Sequence, residues 1–247
     1  RESPRWITYS LLRALCDALD WADRAAAEEA LGLLIGSFAT EPLSFAPRWP
    51  TDLTDDGTPF EFSVALGDDL ELRMLAEAQC AAFDLSSNWQ AAGRLNEQLA
   101  AQTGTSLDRF SRVAPLFEPQ PGDKATFAIW HAVNLRPGAA ATYKVYLNPQ
   151  IHGPERANDL VEQALTLLDI PEAAQFLAAH AAEAGERFVY LSLDLSADAS
   201  ARVKVYTAHD ALSTQRLTRL FEHTRHYQPG SVERWLETVI GEPNQLE

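Results

Sequence analysis

The chain is predicted to be an α+β protein, an antiparallel β-barrel or partial barrel of repeated helix-helix-strand-strand units with the helices outside. Three observations predict this. Strand-like segments with a period of two occur in pairs, each pair following two stretches of helical periodicity. That order recurs at a spacing of about 60 to 70 residues, the mark of an internal repeat. The second strand of each unit carries a cation at the same place, Arg73, Lys144 and Lys204, which lie 71 and 60 residues apart. Hairpins that each bring a helix pair to one face build a curved sheet, and closing that sheet removes its exposed edges.

From about Trp6 to Phe38 the chain reads as two helices. ITYSLLRALCDALDWA spaces Ile7, Leu11, Leu12, Leu15 and Leu19 by threes and fours, and RAAAEEALGLLIGSF is rich in good helix formers. A loop rich in Pro, Asp and Thr follows. TPFEFSVAL alternates Phe60, Phe62 and Val64 against Glu61, Ser63 and Ala65, a turn is expected at Gly67 to Asp69, and LELRMLAEA is the partner strand. In the second unit NWQAAGRLNEQLAAQTG and LDRFSRVAPLF are helical, Pro119 to Asp123 is a turn, and KATFAIWHAVNL and AATYKVYLNP flank an RPGA turn. In the third, PERANDLVEQALTLLDI and PEAAQFLAAHAAEAG each start with proline, whose fixed φ suits the first helical position, and ERFVYLSLDL and ARVKVYTAH surround a SADAS turn. A fourth helix pair spans roughly Ser213 to His223 and Ser231 to Ile240. The whole reads as one domain over 1–247, with units of about 1–80, 81–150 and 151–210 and a helix pair at 211–247.

With 247 residues, 46% of them hydrophobic, the chain can bury a sizeable core. A net charge of −15 argues against nucleic acid or an anionic membrane as partner, since both are held by positive surface. Basic strands inside so acidic a chain point instead to a small anionic ligand. Cys16 and Cys80 have neither metal-ligand spacing nor the density of a disulfide scaffold, and read as free thiols of a reducing cytoplasm. No run approaches the eighteen or so apolar residues of a membrane span, and the start at Arg1 shows no signal-peptide pattern, so a cytoplasmic location is expected. Asp55-Asp56 and Asp68-Asp69 fall in turns, where paired acids are commonly solvated, and His223 with His226 lacks a third ligand. No metal or cofactor is expected.

The cations carry the functional reading. Successive strand side chains point to opposite faces, so Lys144 and Tyr146 share one face, and Arg202, Lys204 and Tyr206 share the corresponding face of the later segment. Read singly, each pair also fits a strand whose polar side meets water. Recurrence of one cation-and-phenol pattern in an acidic chain favours a concave, cationic, tyrosine-lined surface. Cations at i and i+2 stand about 6 to 7 Å apart and can engage separate oxygens of one ligand. Arg offers a bidentate fork and Lys a point charge. Glu61 alternates away from Phe60 and Phe62 and faces the same surface, or water if that strand is solvated.

At these residues the chain resembles the aromatic prenyltransferases of the dimethylallyltryptophan synthase type, whose fold is a barrel of repeated helix-helix-strand-strand units. TDDGTPFEFS resembles the family's first-strand signature, ELRM the next strand, and YKVYLNPQ and LSLDLSADASARVKVY the two strands of its diphosphate cage. The resemblance runs over nearly the whole chain in the family's motif order. It implies transfer of a prenyl group, most simply dimethylallyl, from its diphosphate to an indole or tryptophan-derived acceptor, with no metal. Arg73, Lys144, Tyr146, Arg202, Lys204 and Tyr206 would bind diphosphate, and Glu61 would accept the indole N–H.

Two departures stand out. The family has five units and ten strands, against about six strands here; the later strands of the family, which add tyrosine and glutamine contacts, have no counterpart in this sequence. Either the chain is a fragment of a longer one or a short form completes its barrel as a homo-oligomer, and a second reading is a non-catalytic or assembly-dependent diphosphate-binding partial barrel. The family also has a lysine proposed as base on the strand before the first Lys-x-Tyr segment, where this chain has His131. His131 alternates in register with Phe127, Ile129, Val133 and Leu135, on the helix-facing side; a bulge that shifted the register would turn it to the catalytic face.

Overall fold

The structure is a computed structural model that describes residues 4–36, 51–65, 70–80, 82, 84–180, 186–209 and 213–241. The turn expected at Gly67 to Asp69 lies outside the described residues. The elements are α1 (Pro4–Ala18), α2 (Arg24–Ile35), β1 (Phe60–Ala65), β2 (Glu71–Ala76), α3 (Leu85–Thr103), α4 (Asp108–Phe117), β3 (Ile129–Leu135), β4 (Thr142–Leu147), α5 (Ala157–Leu167), α6 (Pro171–His180), β5 (Glu186–Asp194), β6 (Val203–His209), α7 (Thr214–Glu222) and α8 (Ser231–Ile240). Three helix-helix-strand-strand units and a further helix pair are thus present. Pro171 opens α6, whereas Pro154 opens a 3-10 turn, Pro154–Arg156, just ahead of α5. Local chemistry sets several boundaries. Asp23 accepts from the Ala26 amide at 3.0 Å to cap α2, Asp84 accepts from the Ser87 amide at 2.9 Å to cap α3, and α3 stops at Gly104, which takes the left-handed conformation with φ 69°.

The six strands form one antiparallel sheet in sequence order. Its register fixes the two faces. Phe62 faces Met74, Met74 faces Val133, and Val133 faces Tyr143, while Val145 pairs with Leu193 and Leu147 with Leu191. These residues form the helix-facing side. Leu72, Met74, Val133, Val145, Leu147, Leu191 and Leu193 are fully buried there and cluster with Leu12 of α1, Leu31 and Leu34 of α2, and Leu95 and Leu99 of α3. Burial of each contributes about 1.5–3 kcal/mol. A one-residue slip would turn every one of them to the other face, so the core pins the register and with it the direction of the polar side chains.

Two compact units are distinguished. One comprises Arg1–Ala181 with Phe188–Thr207 and contains the core just described. The other comprises Ala182–Arg187 with Ala208–Glu247. In it Ser213 caps α7 by accepting from the Arg216 amide, and the Thr218 hydroxyl donates to the Glu233 carboxylate of α8 at 2.9 Å. Phe221, Trp235 and Val239 are exposed. Among the described residues no helix is long and apolar enough to cross a membrane, and both cysteines are free, Cys16 buried and Cys80 half-buried.

Candidate active site

The face turned away from the helices is polar and aromatic, and its side chains fall into two layers. Register alone places them. Ser63, Arg73, Asn134 and Thr142 follow one another across β1 to β4, and Leu75, Ala132, Lys144 and Asp194 across β2 to β5. The next row carries Trp130, Tyr146 and Ser192. Arg202, immediately before β6, joins the charged layer, and alternation puts Lys204 and Tyr206 on the same face. The sheet curls so that these layers converge. Arg73 on β2 acts on the phenol of Tyr146 on β4, Glu71 on β2 acts on Lys144 and Arg202, and Glu61 on β1 acts on Tyr190 on β5.

In the charged layer the cations are held by two carboxylates. Glu71, only 3% exposed, accepts from Arg73, from Nε of Arg136 at 2.7 Å and from Nδ2 of Asn134 at 3.0 Å. Burial pushes the Glu71 carboxyl up, but the hydrogen bonds from Arg73 and Arg136 outweigh it and hold the group below the usual glutamate range. Asp194 accepts from Nε and the backbone amide of Arg202 at 2.9 and 3.0 Å and lies 3.9 Å from Nζ of Lys144. Its pKa is likewise lowered, Arg202 outweighing burial. Lys144 is 6% exposed, and its ammonium is pushed below the usual lysine range by burial first and by Arg202 next, against the opposing pull of Asp194. Lys204 is exposed and has no carboxylate partner among the described residues. Arg109 of α4 donates to the Ala201 carbonyl and so anchors the turn that presents Arg202. Beside this layer a pocket of about 430 Å3 opens between strand ends, lined in part by Glu71, Asn134, Arg136, Thr142, Asp194 and Arg202.

The second layer is aromatic. Tyr146, Tyr190 and Tyr206 form a triangle with ring centroids 5.9 to 6.4 Å apart, two of the three contacts edge-on. Phe127 stacks on Trp130 at 3.9 Å, and Tyr190 packs against both. Tyr146 shares hydrogen bonds with Tyr206 and Ser192, and burial followed by the Tyr206 phenol pushes its pKa up, so it remains a proton donor at neutral pH. Glu61 stands on the same face, paired with Leu75 across β1 and β2, and is exposed.

His131 is on the other face. It pairs with Ala76 and Val145, is fully buried, and its Nε2 lies 3.0 Å from Oδ1 of Asn96 on α3. Burial lowers its pKa to about 3. This is the side that its parity predicts, and the bulge that would turn it to the catalytic face is absent from β3, so its candidacy as a catalytic base is corrected: the residues of that strand which reach the inner face are Trp130, Ala132 and Asn134. The cationic and phenolic residues read from the sequence do share one face. Glu71, Arg136, Asp194, Tyr190 and Trp130 were not read there, although strand alternation marks four of them: Glu71 lies two residues before Arg73, Asp194 and Tyr190 share the parity of Ser192, and Trp130 that of Ala132. Arg136 lies just past β3, where no strand pattern reaches.

The family model for tryptophan dimethylallyltransferase matches residues 30–222. The chain belongs to the tryptophan dimethylallyltransferase family. As such it is an aromatic prenyltransferase. Solved structures agree. It is 28% identical to 6-dimethylallyltryptophan synthase from Micromonospora olivasterospora, solved in complex with DMASPP and Trp, with a TM-score of 0.87 over 96% of this chain and 69% of that one. Against 5-dimethylallyltryptophan synthase from Streptomyces coelicolor the identity is 33% and the TM-score 0.84, covering 96% of this chain and 67% of that chain. The prenyltransferase PriB, solved as a ternary complex with L-tryptophan and dimethylallyl thiolodiphosphate, is 31% identical, with a TM-score of 0.83 over 96% of this chain and 66% of that chain. This dimethylallyltransferase chain therefore spans about two-thirds of the length of these relatives, and its six-stranded antiparallel sheet with outer helices is the prenyltransferase fold over that span.

Proposed function

We propose that the chain transfers a dimethylallyl group from dimethylallyl diphosphate to a ring carbon of tryptophan or a tryptophan-derived indole, without a metal ion. The observation that carries this reading is the layering of one face, with cations at one level and a tyrosine triangle at the next. The ligands named for the Micromonospora synthase and for PriB support the choice of donor and acceptor.

The chemistry divides between the layers. The carbon–oxygen bond of the allylic diphosphate breaks with both electrons going to oxygen, and Arg73, Lys144, Arg202 and Lys204 offset the charge that develops there. Tyr146 and Tyr206 donate through their hydroxyls and, with Tyr190, present ring faces to the allylic cation. Glu61 accepts the indole N–H, which orients the ring and raises electron density at the carbon that attacks. That ring carbon bonds to the allylic carbon and then gives up its proton to restore aromaticity, with the Glu61 carboxylate or the departing diphosphate on the same face to receive it, since His131 faces the other side. The side chains supply the positive charge that magnesium supplies in other isoprenoid enzymes.

The test is incubation of the protein with dimethylallyl diphosphate and an indole panel in excess EDTA, with products followed by mass spectrometry. Prenylated tryptophan or indole is expected. No product with any acceptor, from a protein that also fails to bind pyrophosphate, would refute the reading.

A further inference from the structure

Three arginines border the charged layer, and a carboxylate holds each of them at Nε. Arg73, Arg136 and Arg202 all donate their Nε edge to a carboxylate, the first two to Glu71 and the third to Asp194. Nε is the one guanidinium nitrogen closest to the stem, so a partner there fixes the plane of the fork and leaves terminal N–H groups for a ligand; Arg136 also sets Nη2 2.7 Å from the same Glu71 carboxylate, which leaves Nη1 as its terminal group for one. The carboxylates lie deeper than the cations they hold. Glu71 is 4% exposed at the side chain against 48% for Arg73 and 55% for Arg136; Asp194 is 17% exposed against 50% for Arg202. Ordinary surface ion pairs expose both partners and contribute little. A nearly buried carboxylate carrying three donors beneath half-exposed guanidiniums is a support.

We propose that Glu71 and Asp194 are positioning residues that pre-order the arginines of the diphosphate-binding face, and that Arg136, held by the same Glu71, is a further cation of that face. The inference rests on the reading of this face as a diphosphate site. Two effects of removing the Glu71 charge oppose each other. Its loss takes a negative charge away from an incoming anion, which by itself tightens binding. It also frees two long side chains, whose rotamer freedom the ligand must then remove. Arg73 and Arg136 are half exposed, so water screens the Coulomb effect while the freedom regained is nearly complete. Ordering of two guanidiniums outweighs one screened charge, and binding weakens.

The experiment measures pyrophosphate binding to the full chain by calorimetry, with thermal melting of each variant as a control for folding. Glu71→Gln and Asp194→Asn are each expected to weaken binding about tenfold, the scale of one charge-assisted hydrogen bond. In an Arg73→Ala/Arg136→Ala background Glu71→Gln is expected to cause no further loss, because it acts through those arginines. Arg136→Ala, a half-exposed substitution, is expected to weaken binding by a similar factor and carries the test if Glu71→Gln does not fold. Unchanged or tighter binding in Glu71→Gln or Arg136→Ala, with Lys204→Ala weakened, overturns the inference and leaves the diphosphate reading intact. An undiminished loss from Glu71→Gln in the double-arginine background also overturns it. Failure of the unsubstituted protein to bind pyrophosphate overturns both.

Discussion

Replacing Lys204 by Ala should remove an inner-face cation whose charge no carboxylate among the described residues matches. Arg73 shares Glu71 with Arg136, and Lys144 shares Asp194 with Arg202, whereas exposed Lys204 has no such partner among the described residues. A unit charge about 4 Å from a phosphate oxygen interacts by at most about 4 kcal/mol at an effective dielectric of 20. Exposure and salt reduce this, and a charge-assisted hydrogen bond nets about 1.5–3 kcal/mol. That converts to a loss of roughly 10- to 150-fold in pyrophosphate affinity and in kcat/KM for dimethylallyl diphosphate. Calorimetry with pyrophosphate and initial rates at varied donor concentration measure the two numbers. On the proposed reading the lysine meets the leaving group, which gains charge in the transition state, so kcat should fall as well as KM rise. Wild-type affinity and kinetics in Lys204→Ala would refute the assignment of this face to diphosphate, since the least neutralised cation would then be doing nothing for the anion.

Glu61→Gln keeps the shape of the side chain and one acceptor oxygen but loses the charge, so acceptor kcat/KM should fall by about ten- to a hundredfold with the KM for dimethylallyl diphosphate little changed; a wild-type acceptor profile would remove Glu61 from the site. Chelation by EDTA should leave the rate within about twofold of the untreated protein, because the cations are side chains; restoration of a lost rate by added magnesium would contradict this. His131 makes stability pH-dependent with a definite sign. Its pKa is about 3 in the fold and about 6.5 when unfolded, so the unfolded chain binds the extra proton between those values and stability is lost as pH falls below 6.5. The loss approaches roughly 1.4 kcal/mol per pH unit, about 2 to 3 kcal/mol by pH 4.5, where carboxylates such as Glu71 and Asp194 have only begun to add their own smaller acid-side loss. Urea unfolding at pH 7 and 4.5 should show this decrement in the parent protein and not in His131→Phe, and an equal decrement in both would place the proton elsewhere.

Local patterns made much of the fold legible. Periods of two and 3.6, proline starts and Gly or Asp turns locate the elements, because they depend on which residues share a face within a few positions. The outcome for His131 shows the strength of this: parity with Ile129, Val133 and Leu135 is enough to put it under the helices, and the register confirms it. The repeat, by its spacing, also identifies Arg73, Lys144 and Lys204 as equivalent.

What the sequence determined by itself, then, is the order of the elements, the side of the sheet each strand residue faces, and the kinship of the three cation strands, all consequences of a period that one chain segment carries alone. The tertiary structure alone decided which charges meet. Glu71 and Arg136 are 65 residues apart and Asp194 and Lys144 are 50 apart, and only strand pairing and the curl of the sheet bring each carboxylate beneath its cations. The tyrosine triangle has the same origin, since Tyr190 joins Tyr146 and Tyr206 through neighbouring strands. Coulomb and ring contacts act over a few ångströms of space, and spacing along the chain does not encode that distance until the sheet has formed.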